Sequence, residues 1–356
     1  MTLFFFVVVL EIKREMVSGE LRDPRAAALP IVSALGGMIV PALIYFALNA
    51  GGAGAHGWGI PMATDIAFAV AVVTAAGRHV PAGARLFLLS LAIVDDLGAI
   101  TVIAVVYTAD LHLAWLAMAV IVIIIAGGLQ RLHVRTTATY VVLGVSCWFA
   151  LHQSGVNSTL AGVAFGFLTP AWSFYDPHHY GTTAHKILER VGDCAEDTQR
   201  DLQRLSTESE SPLSRLERQL GPWATFVIVP LFALANAGLH LPAGYSTAWL
   251  HNDVSLGIVL GLVLGKTIGV FATSWLITRT PLAILPVGTS WAHLLGISMV
   301  AGVGFTVALF VSHLAFDAPP LSDAAKLGIL VGSAISACLG FTVLRCIKVA
   351  RGPLDP

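Results

Sequence analysis

Ten apolar segments follow one another along this chain of 356 residues, separated by polar loops that are mostly short. A helix needs about 20 mostly apolar residues to cross the hydrocarbon core of a bilayer, and lipid offers no partner for unpaired backbone groups. The pattern therefore predicts a polytopic bundle of helices, all-α, that forms a single transmembrane domain over residues 1–356. The predicted spans lie near 29–49, 60–76, 84–107, 113–129, 138–151, 156–170, 222–241, 254–278, 290–316 and 325–349.

The composition agrees with a membrane domain and excludes other classes. Hydrophobic residues make up 56% of the chain and charged residues 12%, whereas about a quarter of a typical soluble domain is charged. The basic residues form no cluster interleaved with aromatic side chains, so no nucleic-acid partner is predicted. The four cysteines show no paired spacing, which argues against a disulfide framework. No resident cofactor is expected.

The distribution of Lys and Arg gives the predicted orientation, because short cytoplasmic loops carry an excess of these residues. Alternate loops hold nearly all of them, and the intervening loops near 50–59, 109–112, 152–155, 240–253 and 312–323 hold none. This alternation supports the number of spans and places the C-terminus in the cytoplasm. The long hydrophilic stretch 171–221 is predicted to be a cytoplasmic linker, and the leading residues 1–15 are predicted to form a partial first helix.

Two of the predicted spans are interrupted by residues that weaken a helix. The stretch "GIPMATDIAF" places Thr64 and Asp65 after a proline, and "VAGVGFTVAL" places Gly302 and Gly304 just before Thr306. Unwound backbone at membrane depth is tolerated only where it is buried in protein or lines a polar cavity. Taken singly these residues have ordinary explanations, since Asp65 could cap a helix and the glycines could be packing contacts.

The two interrupted spans are the middle members of two sets of three helices, at about 29–107 and 254–349. Counting the leading piece as a segment, corresponding helices of the two sets are seven positions apart, an odd number, so they must cross the membrane in opposite directions. This arrangement predicts inverted repeats. Interrupted helices at matching positions of inverted repeats mark the substrate site of a transporter near the middle of the membrane.

Three charged residues lie within predicted spans: Asp95 and Asp96 in "LAIVDDLGAI", and Lys266 in "GLVLGKTIGV". Each costs about 2.5 to 3.5 kcal/mol or more at the membrane centre unless it is paired or hydrated. Neighbouring helical residues point about 100° apart, so the two aspartates cannot face one partner. One aspartate can therefore pair with the lysine while the other faces a wet cavity and holds a small hard cation. Competition between that cation and protons is the minimum that exchange requires.

These residues stand in motifs that closely resemble the NhaA family of sodium/proton antiporters, in order, over essentially the whole chain. The motifs are "GWGIPMATDIAFA", "LAIVDDLGAI", "GVNSTLAG", "PLFALANAG", "LGK" at 264–266, "AGVGFTVALF" and "AKLGILVGSAIS". The resemblance implies a multi-pass, non-enzymatic antiporter of the cell inner membrane. It would export Na⁺ or Li⁺ in exchange for a larger number of protons and so regulate intracellular pH and sodium. Inverted repeats are a known property of this family, so the repeat argument is consistent with the resemblance but not independent of it.

The resemblance also implies roles for individual residues. Asp96 would be the main carboxylate for Na⁺ and protons, with Asp95 as the partner of Lys266. Two discontinuous helices would cross at mid-membrane through Thr64, Asp65, Gly302, Gly304 and Thr306. Positions associated with pH regulation would be Glu11, Arg14, Glu15 and Glu217. The chain begins inside the family's second helix, so we expect a homodimer weakened by the missing N-terminal segment that supports it.

Two other functions compete with antiport. An intramembrane aspartyl hydrolase would use Asp65 with Asp95 or Asp96 as an acid/base pair, but the chain lacks the Tyr-Asp and Gly-x-Gly-Asp motifs of such proteases. A mid-span lysine would also hold one carboxylate ionised rather than let two share a proton. A sodium-coupled symporter would need a pocket for an organic solute, and no motif indicates one.

Overall fold

The computed structural model of the protein describes residues 1–19, 22–108, 111–132, 136–171, 211–238 and 252–347. Within these ranges all regular structure is helical. Most of the predicted linker 171–221 lies outside the described residues, as do the last residues of the chain. The chain divides into two compact units, the first made of Met1–Gly19 with Asp110–Ile228 and the second of Glu20–Ala109 with Val229–Pro356.

Fourteen α-helices occur in the described ranges, and four short 3-10 or π turns adjoin or connect several of them. The turns that matter for the site are the 3-10 turn Ala55–Met62 and the π turn Gly261–Gly265, with a further π turn at Ala224–Ile228. In chain order the helices are α1 (Thr2–Ser18), α2 (Pro24–Asn49), α3 (Ile66–Ala76), α4 (Ala82–Val106), α5 (Leu113–Arg131), α6 (Thr137–Gln153), α7 (Thr159–Leu168), α8 (Pro212–Trp223), α9 (Val229–Asn236), α10 (Asp253–Leu260), α11 (Lys266–Ile277), α12 (Trp291–Val300), α13 (Phe305–Ala315) and α14 (Pro319–Cys346).

The helices are long and apolar enough to confirm the predicted membrane bundle. Six continuous helical stretches pass as spans by length and hydropathy: α2, α4, α5, α8 through α9, α10 through α11, and α14. Two further spans are bent pairs, and the segment predicted at 156–170 contains the shorter apolar helix α7. Nine of the ten predicted spans thus contain an apolar helix or bent pair, whereas the segment predicted at 138–151 contains α6, whose 17 residues do not pass the same test. The inverted relation of the two helix triplets stays a prediction, as does the single-domain organisation.

In the first unit, α1 packs against α7 and α8, and α6 packs against both α5 and α7. Small residues bring α1 and α7 together: a Cβ on Gly166 would lie 2.7 Å from Val9 Cγ1, and one on Gly162 would collide with Thr2 O. The side chain of Val9 is fully buried in this contact. Close approach of the two helices therefore depends on glycine in α7, as is common between membrane helices.

In the second unit, α2 packs along α11, and α14 packs against α10 and α12. Glycines again allow close contact, because a Cβ on Gly269 of α11 would collide with Gly36 O of α2. The Ser33 and Ser274 hydroxyls form a buried hydrogen bond of 2.6 Å between the same two helices. The packing fixes α11, which carries Lys266, beside α2 and the π turn that precedes it.

Both predicted interruptions are present in the second unit. The Ala55–Met62 turn and the helical stretch that begins at α3 differ in direction by 41°, and α12 and α13 differ by 43°. Pro61 accounts for the irregular first break, since proline removes a backbone donor. At the second break the chain leaves the helix after Val300 and resumes at Phe305. Discontinuous helices are therefore observed, whereas their crossing at mid-membrane stays a prediction.

Candidate ion site

A buried ion pair joins α4 to α11. The Lys266 ammonium contacts Oδ2 of Asp95, and both side chains are completely shielded from solvent. Transfer of either charge alone into such an environment would be strongly unfavourable, whereas a paired carboxylate and ammonium compensate each other. The contact predicted between one aspartate of the pair and the mid-span lysine is present, and Asp95 is the aspartate that makes it.

Thr64 connects this ion pair to both helix breaks. Its hydroxyl lies 2.6 Å from Asp95 Oδ2 and 2.7 Å from the carbonyl oxygen of Ala301. A threonine hydroxyl has one hydrogen to donate. The two acceptors therefore share or compete for that hydrogen, and the charge on Asp95 decides how strongly it attracts the hydroxyl away from Ala301.

Asp65 joins the starts of two helices with one carboxylate. Its Oδ1 accepts a hydrogen bond from Phe68 N and caps α3. Its Oδ2 accepts from Thr306 N at 3.0 Å and from Thr306 Oγ1 at 2.5 Å, at the beginning of α13. Its backbone N–H donates to Val303 O at 2.6 Å. A negative charge at a helix N-terminus is stabilised by the helix dipole, and here one carboxylate serves two such termini.

The glycines of the second break are required by close packing. A Cβ on Gly302 would collide with the carbonyl oxygen of Leu262, and one on Gly304 would lie 2.9 Å from Ala63 O. Gly304 adopts a φ of −102°, which other residues also adopt. The glycines therefore provide room for backbone contact: Gly304 allows the two breaks to touch, and Gly302 allows the second break to rest on the π turn before Lys266.

Asp96 follows Asp95 on α4 and is 1% exposed. The second oxygen of its neighbour, Asp95 Oδ1, is buried and has no hydrogen-bond partner among the described residues. Two buried carboxylates thus stand beside one ammonium, which gives this group a net charge of −1 when all three are ionised. Such a group can accept one monovalent cation or one proton to become neutral.

The residues predicted for pH regulation form a separate cluster in the first unit. Arg14 of α1 contacts Glu217 of α8 at 2.5 Å and lies 3.8 Å from Glu15. Glu11, one turn earlier on α1, interacts electrostatically with Glu217, Arg14 and Glu15. The helix that carries Glu217 begins at Pro212 and is capped by Ser211, whose Oγ accepts from Ser214 N. The structure brings the four predicted residues together and leaves their role a prediction.

Several groups at the ion site escaped the sequence analysis. Three of them are the backbone carbonyls of Ala301, Val303 and Leu262. Every residue has such a carbonyl, so the residue type does not indicate that it belongs to the site. The fourth is Ser333 of α14, whose hydroxyl accepts a hydrogen bond of 3.2 Å from Gly304 N. Its only signal is its membership of the small-residue stretch "LVGSAIS", which is equally typical of simple helix packing.

The geometry of Asp65 bears on the hydrolase alternative. Both of its carboxylate oxygens accept hydrogen bonds from the protein, and Asp95 is bound to an ammonium. An acid/base pair of aspartates needs both carboxylates to face one water. The arrangement therefore does not support the hydrolase.

The protein is a polytopic helical bundle in which two interrupted helices meet beside a buried group of two carboxylates and one ammonium. This combination defines a class of protein, the secondary transporters of small cations. Comparison with known proteins is more specific. A family model described as "Na+/H+ antiporter 1" matches residues 1–344. The chain therefore belongs to the Na⁺/H⁺ antiporter 1 family.

Individual relatives agree with this membership. The chain is 46% identical to a protein named Na(+)/H(+) antiporter NhaA from Rhodopirellula baltica, over 97% of this chain and 79% of that protein. It is 45% identical to a protein of the same name from Syntrophobacter fumaroxidans, over 97% of this chain and 76% of that protein. It is 43% identical to Na(+)/H(+) antiporter NhaA 2 from Acidiphilium cryptum, over 100% of this chain and 80% of that protein.

Proposed function

We propose that the protein is an electrogenic antiporter that exports Na⁺, or Li⁺, in exchange for protons. The observation that carries this proposal is the buried group of Asp95, Asp96 and Lys266 beside the contact of two helix breaks. Family membership supports exchange of Na⁺ for protons, since the relatives are named Na(+)/H(+) antiporters. Na⁺ is here a transported substrate and not a resident metal.

Charge counting explains how cation and proton exclude each other at this group. When Asp95 and Lys266 neutralise each other, the remaining charge belongs to Asp96. Bound Na⁺ or a bound proton each cancels that charge, and binding both would leave an uncompensated positive charge in a buried site. The carboxylate of Asp96 therefore alternates between the two ligands, with Asp95 Oδ1 as a further oxygen for the cation.

Electrogenic exchange requires a second titrating group. Protonation of Asp96 alone exchanges one H⁺ for one Na⁺ and moves no net charge. A larger number of protons therefore needs the pair of Asp95 and Lys266 to gain or release one during the cycle. Thr64 would respond to that event, because its single hydroxyl hydrogen is attracted less strongly by a neutral Asp95 and becomes available to Ala301 O.

The cellular setting follows from the same proposal. The proposed location is the cell inner membrane, and the distribution of Lys and Arg supports a cytoplasmic C-terminus. The cluster of Glu11, Arg14, Glu15 and Glu217 would adjust activity to cytoplasmic pH, because Glu217 Oε2 is buried without a hydrogen-bond partner in the described part of the chain. Protonation of Glu217 would release Arg14 and loosen α1 from α8. A homodimer is the proposed assembly.

Exchange in proteoliposomes tests the proposal. We expect added Na⁺ to collapse an imposed pH gradient with the intact protein, and to collapse it faster when a permeant ion clamps the membrane potential, as electrogenic exchange requires. Asp96→Asn should abolish the response, because the neutral amide cannot exchange a cation for a proton. Equal responses of the intact protein and Asp96→Asn would refute the assignment.

A matched control uses the same chemical change away from the site. Asp317 is exposed just after α13, so Asp317→Asn should leave exchange unchanged. Thermal unfolding of both variants in detergent separates loss of function from loss of folding. We expect the two variants to unfold at comparable temperatures and exchange to be lost only in Asp96→Asn.

A further inference from the structure

The segment that connects α11 to α12 has an unusual outer surface. We name residues 279–289 the strap. Its large apolar side chains Leu282, Ile284 and Val287 are 60%, 85% and 92% exposed. Loops that face water are normally polar, and contiguous exposed apolar groups mark an interaction surface. The part of the chain that the structure describes therefore leaves these three side chains without an apolar partner.

The inner side of the strap is fixed against the protein. Ala283 is buried in the core cluster of the second unit, and Leu285 packs against the same cluster. The Val287 carbonyl lies so close to α4 that a Cβ on Gly83 would stand 2.6 Å from it. Inward and outward side chains thus alternate along 282–285. The exposed residues cannot turn inward without removing Ala283 and Leu285 from the core.

A tight turn presents the most exposed of these residues. Thr289 N donates to Pro286 O at 3.0 Å, and Gly288 has a φ of +75°. This is the hydrogen bond and the positive φ of a type II turn, in which glycine is favoured at the third position. Val287 occupies the second position, at the tip. The hydrogen bond and the positive φ of Gly288 hold Val287 at the tip, so its exposure follows from the local backbone.

The residues that flank the strap indicate a lipid surface. Trp275 and Trp291 stand on either side of it, and both are partly exposed. The guanidinium of Arg279 lies 4.4 Å from the centre of the Trp275 ring. Trp at the ends of spans, with an adjacent cationic side chain, is typical of the boundary between acyl chains and headgroups. Residues 267–316 contain no Asp or Glu, and Arg279 is their only Lys or Arg.

We propose that the strap is a lipid-binding surface that inserts Leu282, Ile284 and Val287 among the acyl chains at one face of the membrane, with Arg279 at the level of the lipid phosphates. The strap follows directly on α11 in the chain, whose exposed Ile268 and Leu276 belong to a membrane span. The strap joins α11, which carries Lys266, to the interrupted pair α12 and α13. It therefore holds the ends of two functional elements at a fixed depth, whichever ions the protein exchanges.

Fluorescence quenching by lipid tests the proposal. Single cysteines labelled with bimane are placed at Ile284 and Val287, in a full-length protein whose native cysteines are replaced by alanine. The protein is reconstituted in vesicles of phosphatidylcholine and phosphatidylglycerol with or without bromine on the acyl chains near the headgroup. Ile268→Cys is the control inside the membrane, and Arg78→Cys, exposed in the turn before α4, is the control in water.

The expected result is strong quenching of both strap labels by brominated lipid, at least about half of that at Ile268, with little quenching by aqueous iodide. The label at Arg78 should show the reverse pattern. Two results would overturn the proposal. Strap labels that follow Arg78 would show that the surface lies in water. Strap labels shielded from both quenchers would show that a protein surface, such as a second copy of the chain, covers it.

Discussion

The two helix breaks meet at the same place but contribute different chemistry. The first break supplies side chains, since Thr64 donates to Asp95 and the Asp65 carboxylate accepts at the start of α13. The second break supplies mainly backbone groups, the carbonyls of Ala301 and Val303 and the N–H of Thr306. Side chains of one break therefore satisfy the backbone of the other.

This difference shows how unwound backbone can remain buried. Orphaned backbone groups at a helix break cost free energy unless they find partners. Each break alone would leave such groups unpaired, and the contact between the breaks satisfies them mutually. The two breaks are consequently one structural unit, and damage to either should disturb both.

The largest effect should come from closing the space that the second break needs. Gly302→Ala places a methyl group against the Leu262 carbonyl, which belongs to the rigid backbone of the π turn. We expect a loss of about 3 kcal/mol in the free energy of unfolding, the upper part of the usual overpacking range, together with loss of exchange. Thermal unfolding in detergent and exchange in proteoliposomes measure the two effects.

The matched control for this substitution is Gly128→Ala on α5, where a Cβ meets nothing within 4 Å. Alanine in an open helical position should leave stability equal or slightly higher. If Gly302→Ala behaves like Gly128→Ala, the breaks do not depend on close backbone contact.

Asp65→Asn tests the side-chain half of the comparison. The asparagine side chain keeps one accepting oxygen and replaces the other with an NH₂ donor. Either the Phe68 N–H or the Thr306 N–H would then face that donor instead of an acceptor. We expect a loss of about 2 kcal/mol, because an unsatisfied buried group costs its desolvation free energy. Asp23→Asn is the control, since Asp23 caps only α2 by accepting from Arg25 N and asparagine caps equally well. Equal unfolding temperatures for both variants would contradict the double role of Asp65.

Thr64 distinguishes a relay from a packing residue. Thr64→Val preserves the shape and removes the hydroxyl that both Asp95 and Ala301 O require. We expect a loss of about 1 kcal/mol, the usual net value of a hydrogen bond, and a shift in the pH dependence of exchange. Thr64→Ser should restore the pH profile of the intact protein. A pH profile that is unchanged in the valine variant would remove Thr64 from the proposed proton response.

The smallest effect is expected at Ser333, which accepts from Gly304 N. Ser333→Ala should lower stability by about 0.5 kcal/mol, the lower end of the usual net value of a hydrogen bond. The neighbouring Ser336→Ala is the control, because the Ser336 hydroxyl is buried without a hydrogen-bond partner in the described ranges. Its removal should cost less or stabilise the protein. A larger loss at Ser336 than at Ser333 would show that the second break does not rely on α14 for this bond.

Much of the candidate site was predictable because charge is so costly in a membrane. Asp95, Asp96 and Lys266 are conspicuous in apolar spans, and their pairing follows from the need to compensate buried charge. Thr64, Asp65 and the glycines are recognisable as helix-weakening residues at corresponding positions. The assignment of the ion pair to Asp95 instead of Asp96 could not follow from the residues alone, since the helical period separates the two side chains without saying which faces α11.

The sequence by itself determined the class of fold, because apolar segments in lipid must become helices, and it marked the two breaks and the charged residues. Only the tertiary structure decided what those breaks contact. Backbone carbonyls such as those of Ala301, Val303 and Leu262 carry no residue-specific signal. Their role depends on helices distant in sequence approaching closely enough for one break to satisfy the other.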